Sequence, residues 1–161
     1  MPNKDTFTIK PIAELLNKYV LNNGNGWIDP FAGKHSPAEL TNDLNPDAPT
    51  RFHLHAKDFA LSISGNEFNG VLFDPPYSLR QLKECYDSVG IKMFKDDSTR
   101  FPQNVKEIIA PKIKTGGFAI SCGWNSQGFG KKLGFEIVEV LLVAHGRSHN
   151  DTIVTVDLKI K

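Results

Sequence analysis

The sequence predicts an α/β fold: a doubly wound, Rossmann-like sheet that is mainly parallel and ends in a C-terminal antiparallel hairpin. Three observations predict it. Short apolar runs that stop at turn residues alternate with segments of helical period. Two long runs rich in β-branched residues close the chain, with a polar loop between them. Two connections, between Asp29 and Leu40 and at residues 45–50, are too short for a crossover helix, so we expect some of these helices to be shortened or absent.

Length and composition are those of one domain, residues 1–161. Of these residues 40% are hydrophobic and 23% charged, as in ordinary globular proteins. The net charge of +1 excludes a strong attraction of the whole molecule to polyanions, so any nucleic-acid contact needs a local basic patch. No apolar run could span a bilayer and we see no signal segment, so we expect a cytoplasmic protein without membrane contact. Cys85 and Cys122 lack metal-ligand spacing and are expected to be reduced thiols.

The first half of the chain is expected to alternate between helix and strand. Residues 9–21 carry apolar side chains at a helical period, and Pro11 suits the first turn of a helix. The apolar runs that follow are short and end at turn residues, which is typical of buried strands. These predicted strands cover residues 27–28, 38–44, 51–56 and 70–73.

The second half is expected to complete the sheet. Helices are predicted at residues 80–89, 104–113 and 127–133, and residues 90–103 show little periodicity. Strands are predicted at residues 117–122, 135–145 and 152–160. The last two are expected to pair antiparallel through the polar loop 146–151.

The most informative segment is Asp74-Pro75-Pro76-Tyr77, which follows the apolar run 70–73. Proline cannot donate to a strand ladder, so this segment indicates a stiff turn at the carboxyl end of a buried strand. The turn offers a carboxylate and a backbone carbonyl as acceptors for an exocyclic amine, and an aromatic ring for a heterocycle to stack on. The alternative is a strand-ending turn with a solvated Asp and a core Tyr.

Three further acidic sites each follow a predicted strand. They are the segment Asp29-Pro30-Phe31-Ala32-Gly33, then Asp43, then Asp58 with Phe59. Carboxyl ends of neighbouring parallel strands meet in one crevice, where doubly wound sheets bind ligands. We therefore expect all four acidic residues, including Asp74, to line a single cleft.

With these motifs the chain resembles the S-adenosylmethionine-dependent amino-methyltransferases, particularly the DNA adenine-N6 type, in a minimal form without a target-recognition domain. The resemblance extends over nearly the whole chain. It implies the methyltransferase form of the sheet, S-adenosylmethionine as cofactor, and methyl transfer to the N6 amine of adenine in DNA. The implied catalytic residues are Asp74, Pro75, Pro76 and Tyr77. The implied cofactor-binding residues are Phe7, Thr8, Lys10, Asp29, Pro30, Phe31, Gly33, Asp43, Asp58, Phe59 and Asp74.

The resemblance also implies a role for each motif. Residues 29–33 would wrap the methionine part of the cofactor, and residues 7–11 would close over its methionine end. Asp43 would hold the ribose hydroxyls, while Asp58 and Phe59 would contact the adenine. Residues 148–152, before the last strand, also resemble the family.

The chain departs from the family pattern in ways that bear on its partners. After Gly33 the sequence lacks the usual Gly-x-Gly continuation, and only ten residues separate Asp29 from Leu40, too few for a full crossover helix. An apolar face left bare by a missing helix would favour a homodimer. Without a recognition domain, DNA contacts would come from residues 78–103 and 146–151. Their basic residues are Arg80, Lys83, Lys92, Lys95, Arg100 and Arg147, although interleaved acidic residues leave open a merely solvated loop.

Other functions remain open on the sequence alone. A methyltransferase for an RNA base or a small molecule would need the same turn at residues 74–77. A non-catalytic protein that binds the cofactor or a partner would not need the carboxylate. His53 and His55 could share a strand face, but no third metal ligand is evident, and we expect no metal. Trp27 and Trp124 are expected in the core or the pocket wall.

Overall fold

The molecule is built on a six-stranded sheet. In chain order its strands are β1 (Trp27–Asp29), β2 (Leu40–Thr41), β3 (Phe68–Phe73), β4 (Ile113–Gly123), β5 (Phe135–Val143) and β6 (Thr152–Lys159). The strand order is β2-β1-β3-β4-β6-β5, with β1 to β4 parallel and β6 antiparallel to both of its neighbours. This computed structural model describes residues 5–93, 100–146 and 150–161. The arrangement confirms the predicted doubly wound α/β fold with an antiparallel C-terminal pair.

Helices lie on both faces of the sheet. They are α1 (Lys10–Tyr19), α2 (Ala56–Ser62), α3 (Leu79–Ser88) and α4 (Phe101–Ile109). Alternate residues of β3 point to opposite faces of the sheet. Leu72 packs with the apolar side of α1, whereas Val71 and Phe73 pack with α2, α3 and α4. Both faces of β3 are therefore buried, which explains its continuous apolar sequence. None of the described helices is long and apolar enough to cross a membrane.

Most predicted elements are present, with shifts of a few residues at their ends. The predicted helix at 9–21 is α1, the strand at 70–73 begins two residues earlier as β3, and the predicted hairpin is β5 with β6. The helix predicted at 104–113 begins earlier and ends at Ile109, followed by one 3₁₀ turn. The prediction of a helix at residues 127–133 is wrong, since only a 3₁₀ turn at Lys131–Leu133 forms there.

The prediction of a strand at residues 51–56 is also wrong. A single isolated bridge between Asn42 and Phe52 remains of that pairing, and α2 begins at Ala56. The side chain of Asn42 takes the place of a ladder: its Nδ2 donates to the Leu54 carbonyl and its Oδ1 accepts from the Leu54 N–H, both at 2.9 Å. Phe52 still exchanges backbone hydrogen bonds with Thr41 and Asp43. Because Leu54 bonds to the Asn42 amide instead of to a strand, the pairing does not extend beyond this bridge, and β2 has only two residues.

Candidate active site

Three acidic residues that follow neighbouring strands lie together at the carboxyl edge of the sheet. Asp29 is the last residue of β1, Asp43 follows β2 and Asp74 follows β3. Their charges interact, because the carboxylates of Asp74 and Asp43 both raise the pKa of Asp29. The strands β2, β1 and β3 are adjacent and parallel, so their carboxyl ends form one crevice. The structure therefore brings together three of the four acidic residues expected there.

Asp29 is fully buried, and burial is the largest cause that raises its pKa, to about 7. Two donors oppose that rise. The Phe31 N–H donates to Oδ1 at 2.9 Å, and the Ser36 hydroxyl donates to Oδ2 at 2.6 Å. Among the described residues no ion pair joins the three carboxylates to a Lys or Arg. This cluster is therefore electrostatically suited to a ligand that carries positive charge.

Asp43 holds the turn that follows β1. Its Oδ2 accepts from the Gly33 N–H at 3.0 Å, and its Oδ1 accepts from the Asn45 N–H at 2.8 Å. Gly33 has φ +56°, a left-handed conformation that glycine adopts without strain. Each carboxylate oxygen retains a second lone-pair direction, so Asp43 can accept further hydrogen bonds from ligand hydroxyls.

Asn42 connects the segments on either side of this turn. Its fully buried amide Nδ2 donates to the Pro30 carbonyl at 3.1 Å as well as to Leu54. Its backbone N–H donates to the backbone carbonyl of Asp29, and its backbone carbonyl accepts from the Ala32 N–H, both at 2.9 Å. The loops after β1 and β2 are therefore tied through one side chain and its own backbone.

Tyr77 and Asp74 are bonded to each other across the turn after β3. The Tyr77 hydroxyl donates to Asp74 Oδ1 at 2.5 Å, and the Thr6 side chain also hydrogen-bonds to Asp74. Burial raises the pKa of Asp74, while these two hydrogen bonds lower it. Burial and the adjacent Asp74 carboxylate raise the pKa of Tyr77. Two hydroxyls thus occupy acceptor positions on Asp74 that an amine could take instead.

The same turn is anchored to the start of α3. Ser78 is the N-cap of that helix, and its Oγ accepts from the Gln81 N–H. The Gln81 side chain in turn accepts from the Tyr77 N–H at 2.7 Å. Residues 74–77 are therefore held between a buried strand and a capped helix, which fits the stiff turn that the sequence predicts.

Two residues that sequence reasoning did not assign to the site lie beside Asp74, and Trp124, expected in the core or the pocket wall, lies beside Tyr77. Thr6 bonds to its carboxylate, and the buried Cys122 at the end of β4 has its pKa raised well above the usual value, chiefly by burial and also by Asp74 and Asp29. Trp124 is 40% exposed and meets the Tyr77 ring edge-on, with centroids 5.6 Å apart. Trp124 directly follows β4, which pairs with β3, and this brings its ring to the turn after β3.

The N-terminal residues put forward for cofactor binding are differently placed. Phe7 is buried among the side chains that pack on α1, whereas Thr8 is exposed and its hydroxyl donates to the Asp5 carbonyl. Lys10 begins α1 and is exposed. Asp5 also lies 3.4 Å from His35, in the loop between β1 and β2. This segment therefore reaches from the Asp74 side of the crevice to the loop after β1.

Asp58 and Phe59 do not follow a strand as predicted but lie within α2. Asp58 is exposed, and Phe59 is fully buried with its ring 5.5 Å from that of Phe52. No contact joins Asp58 to the three clustered carboxylates among the described residues. Phe31 packs edge-on against Phe73, with centroids 5.3 Å apart, so its ring belongs to the packing beneath the crevice.

The histidine pair shows no sign of a metal site. His53 Nδ1 lies 3.1 Å from the Asn45 carbonyl, and the His55 ring packs against those of Tyr86 and Phe101. No group of three metal-ligating side chains occurs in the part of the chain that the structure describes.

The basic residues put forward for DNA lie in loops and on α3. Arg80 pairs with Glu84 at 2.9 Å, and Lys83 and Lys92 are exposed. Lys95 and residues 147–149 lie outside the described residues, so the structure gives no position for them.

Solved methyltransferases share this architecture. The structure of TrmN from Thermus thermophilus aligns with a TM-score of 0.59 and 15% identity, over 92% of this chain and 48% of TrmN, so this chain spans about half of that protein. The N-methyltransferase NodS from Bradyrhizobium japonicum aligns at 0.57 and 8% identity over 100% of both chains. This chain has the methyltransferase fold.

A third match in this fold carries ligands. A 1,6-didemethyltoxoflavin-N1-methyltransferase from Burkholderia thailandensis, with bound 1,6-didemethyltoxoflavin and S-adenosylhomocysteine, aligns at a TM-score of 0.54 and 10% identity over 100% of this chain and 92% of that one. No family model matches the sequence, and no curated protein matches it significantly. Among these comparisons the methyltransferase fold is therefore found by the structural match alone.

Proposed function

We propose that this protein is an S-adenosylmethionine-dependent methyltransferase that acts on the N6 amine of adenine in DNA. The observation that carries the proposal is the Asp74-Pro75-Pro76-Tyr77 turn beside the carboxylates of Asp29 and Asp43. The shared fold and the S-adenosylhomocysteine bound to a protein of similar structure support the cofactor. The sequence resemblance supports the choice of adenine and DNA.

The charge of the crevice fits this cofactor. Asp29 and Asp74 have raised pKa values, and no described Lys or Arg pairs with them. S-adenosylmethionine supplies an electrophilic methyl group on a positively charged sulfur, and its amino group adds a second positive charge. Asp43 would accept from the ribose hydroxyls, and the turn from Asp29 to Gly33 would surround the methionine part.

Asp74 would orient the acceptor amine. In place of the hydroxyls of Tyr77 and Thr6, its carboxylate would accept a hydrogen bond from the amine, while the Pro75 carbonyl accepts another. This arrangement fixes the direction of the nitrogen lone pair and stabilises the positive charge that develops on nitrogen. A carboxylate with a raised pKa also accepts a proton more readily. The Tyr77 ring would stack on the base, which must first leave a duplex stack.

A second candidate is methylation of a free heterocycle or an RNA base. Its support is the bound heterocycle in the didemethyltoxoflavin methyltransferase of similar fold. Incubation with labelled cofactor and separate pools of DNA, RNA and nucleosides, followed by digestion, distinguishes the candidates. We expect labelled N6-methyladenine from DNA. Label only in RNA or nucleosides would favour the second candidate, and no label in any pool would favour a non-catalytic binder.

Two variants separate catalysis from cofactor binding. Asp74→Ala is expected to lower kcat by about 100-fold or more while cofactor affinity changes little, because it removes the amine acceptor. Asp43→Ala is expected to weaken the cofactor Kd by about 10-fold or more through loss of a charge-assisted hydrogen bond. Calorimetric titration and initial rates measure both. Unchanged turnover in Asp74→Ala would remove its role, and unchanged affinity in Asp43→Ala would remove that of Asp43.

A further inference from the structure

A cleft rich in lysine lies at the edge of the sheet opposite the carboxylates. Its volume is about 380 Å³, and it is bounded by the end of α4, the 3₁₀ turn Lys131–Leu133 and the end of β6. Its charged lining residues are Lys131, Lys132, Lys159, Lys161 and Glu107. Strand β4 runs from the cleft edge toward the Asp74 edge over 11 residues, roughly 30 Å. The cleft is therefore separate from the proposed active site.

The charge of this cleft is unusual for the molecule. Its side chains carry four positive charges and one negative charge, a sum of +3, whereas the whole chain has a net charge of only +1. The remaining side chains therefore sum to about −2. Such local concentration produces a positive potential that attracts anions even though the protein as a whole is nearly neutral.

Lys159 has hydrogen-bonding capacity to spare. It is only 8% exposed, and its Nζ donates to the Leu133 carbonyl at 2.8 Å and lies 4.6 Å from the centre of the Phe135 ring. An ammonium group carries three donors, so one carbonyl leaves two of them for another acceptor. Burial lowers the pKa of Lys159, because a charged ammonium is less stable away from water. An anion in the cleft would restore that stabilisation.

Lys159 is buried and the other three lysines are exposed, but a tight turn fixes the backbone that carries them. Gly134 has φ +84°, and a Cβ there would lie 2.3 Å from the Lys161 carbonyl oxygen and 3.2 Å from Lys159 Nζ. Its carbonyl also accepts from the Ile160 N–H at 2.9 Å. The turn at residues 130–134 is thereby fastened onto the end of β6, which fixes the backbone that carries all four lysines.

We propose that this cleft binds phosphate groups, supplied either by a free phosphate compound or by the backbone of a nucleic-acid strand. Lysine is a common phosphate ligand and acts as a compact point charge. The volume of about 380 Å³ falls at the small end of the range for ligand sites, large enough for a nucleotide-sized group. Pro111 and Leu133 add apolar lining that can contact a sugar or base.

Binding can be tested on the whole protein with two probes that contain no adenine, so that the acceptor proposed for the carboxylate crevice is absent. Inorganic pyrophosphate carries phosphate without a base, and a ten-nucleotide single-stranded DNA supplies a backbone. Each is titrated calorimetrically at two salt concentrations, and amide shifts of residues 131–134 and 159 are followed by NMR. Lys132→Gln removes an exposed cleft charge, and Lys159→Met removes the buried one while keeping its stem. Lys114→Gln makes the same charge change on an exposed residue that does not line the cleft.

We expect at least one probe to bind saturably, with affinity reduced about 5-fold or more by Lys132→Gln and less than 2-fold by Lys114→Gln. Saturable pyrophosphate binding alone would identify a free phosphate compound. Much tighter binding of the DNA, with the same dependence on Lys132, would identify the backbone of a strand. Absence of saturable binding for both probes, or equal losses in Lys132→Gln and Lys114→Gln, would overturn the proposal whether or not Lys159→Met folds.

Discussion

Tyr77 has two features that can be separated experimentally, a hydroxyl bonded to Asp74 and a ring edge-on to Trp124. We predict that Tyr77→Phe retains methyl transfer within about 5-fold, because the ring stays and an amine can still reach Asp74. Tyr77→Ala is predicted to lose about 10- to 100-fold in kcat/KM, since stacking on a base contributes about 1–3 kcal/mol. Initial rates with the preferred acceptor measure both. Equal losses in the two variants would assign the role to the hydroxyl.

Asp29 makes the stability of the protein depend on pH. Its pKa is about 7 in the folded state against an ordinary value of 3.8, so the folded protein binds the proton more tightly. As pH rises from about 4 to about 7 the unfolded state has already lost this proton, and the free energy of unfolding falls, by on the order of 4 kcal/mol at most. Asp29→Asn should therefore flatten this decline.

Urea unfolding at several values between pH 4 and 8 measures the effect. Asp47→Asn, at an exposed carboxyl, serves as the control and should follow the wild type. Parallel curves for Asp29→Asn and Asp47→Asn would show that Asp29 is not the titrating group.

The residues of the site divide into those that sequence patterns reveal and those that only folding reveals. Asp29, Asp43 and Asp74 could be predicted because each follows an apolar run, and the carboxyl ends of parallel strands converge. Thr6 and Ser36 could not, since each reaches its carboxylate through a loop whose path no local pattern specifies.

At the scale of elements, the side-chain amide of Asn42 connects the loops that follow β1 and β2. We predict that Asn42→Ala lowers the free energy of unfolding by roughly 1–3 kcal/mol, because the buried Pro30 carbonyl and two part-buried backbone groups of Leu54 lose their partner. Cofactor affinity should fall as well, since Asp29 and Asp43 flank this brace. Chemical unfolding and calorimetric titration measure the two effects.

The matched control is Asn45→Ala, the same change at a residue whose side chain accepts one exposed hydrogen bond from the Asp47 N–H. It should cost less than about 1 kcal/mol. Similar losses in both variants would mean that Asn42 does not brace the loops.

The elements that the sequence predicts most accurately are those whose buried positions carry a regular pattern of apolar residues. Strand β3 is apolar because both of its faces are covered, and α1 carries one apolar stripe, so each is visible in the sequence. The strand predicted at residues 51–56 does not form because the pairing stops after Phe52, where the Asn42 side chain bonds the backbone of Leu54 in place of a strand partner. A hydrophobicity pattern does not reveal that a side chain bonds to backbone groups in place of a neighbouring strand.

At the scale of the whole molecule, one face of β5 is apolar and uncovered. The register with β6 changes between Ile137 and Glu139, which turns Ile137, Val140 and Leu142 to the same face, and all three are exposed. The opposite face is covered by α1, where Glu139 accepts from Lys18 and Tyr19. This apolar face lies at the opposite edge of the sheet from the short connections between the first strands, where the sequence predicts one.

We propose that β5 forms a homodimer through this face and its unpaired edge. Sedimentation is expected to give twice the mass of 17.9 kDa at micromolar concentration. Leu142→Lys, at 63% exposure, should yield a monomer, whereas Leu61→Lys, at 60% exposure on α2, should leave the dimer intact. A monomeric wild type at tens of micromolar would refute the proposal.

The place of β6 in the sheet sets a limit on when this protein can fold during its synthesis. It lies between β4 and β5, although it follows both in the chain. A nascent chain that has emerged only as far as Val143 carries β5 with nothing to pair with and β4 with one open edge. Since translation adds about 5–20 residues per second, these edges stay open to other nascent chains until residues 152–159 emerge, and chaperone binding is expected in that interval.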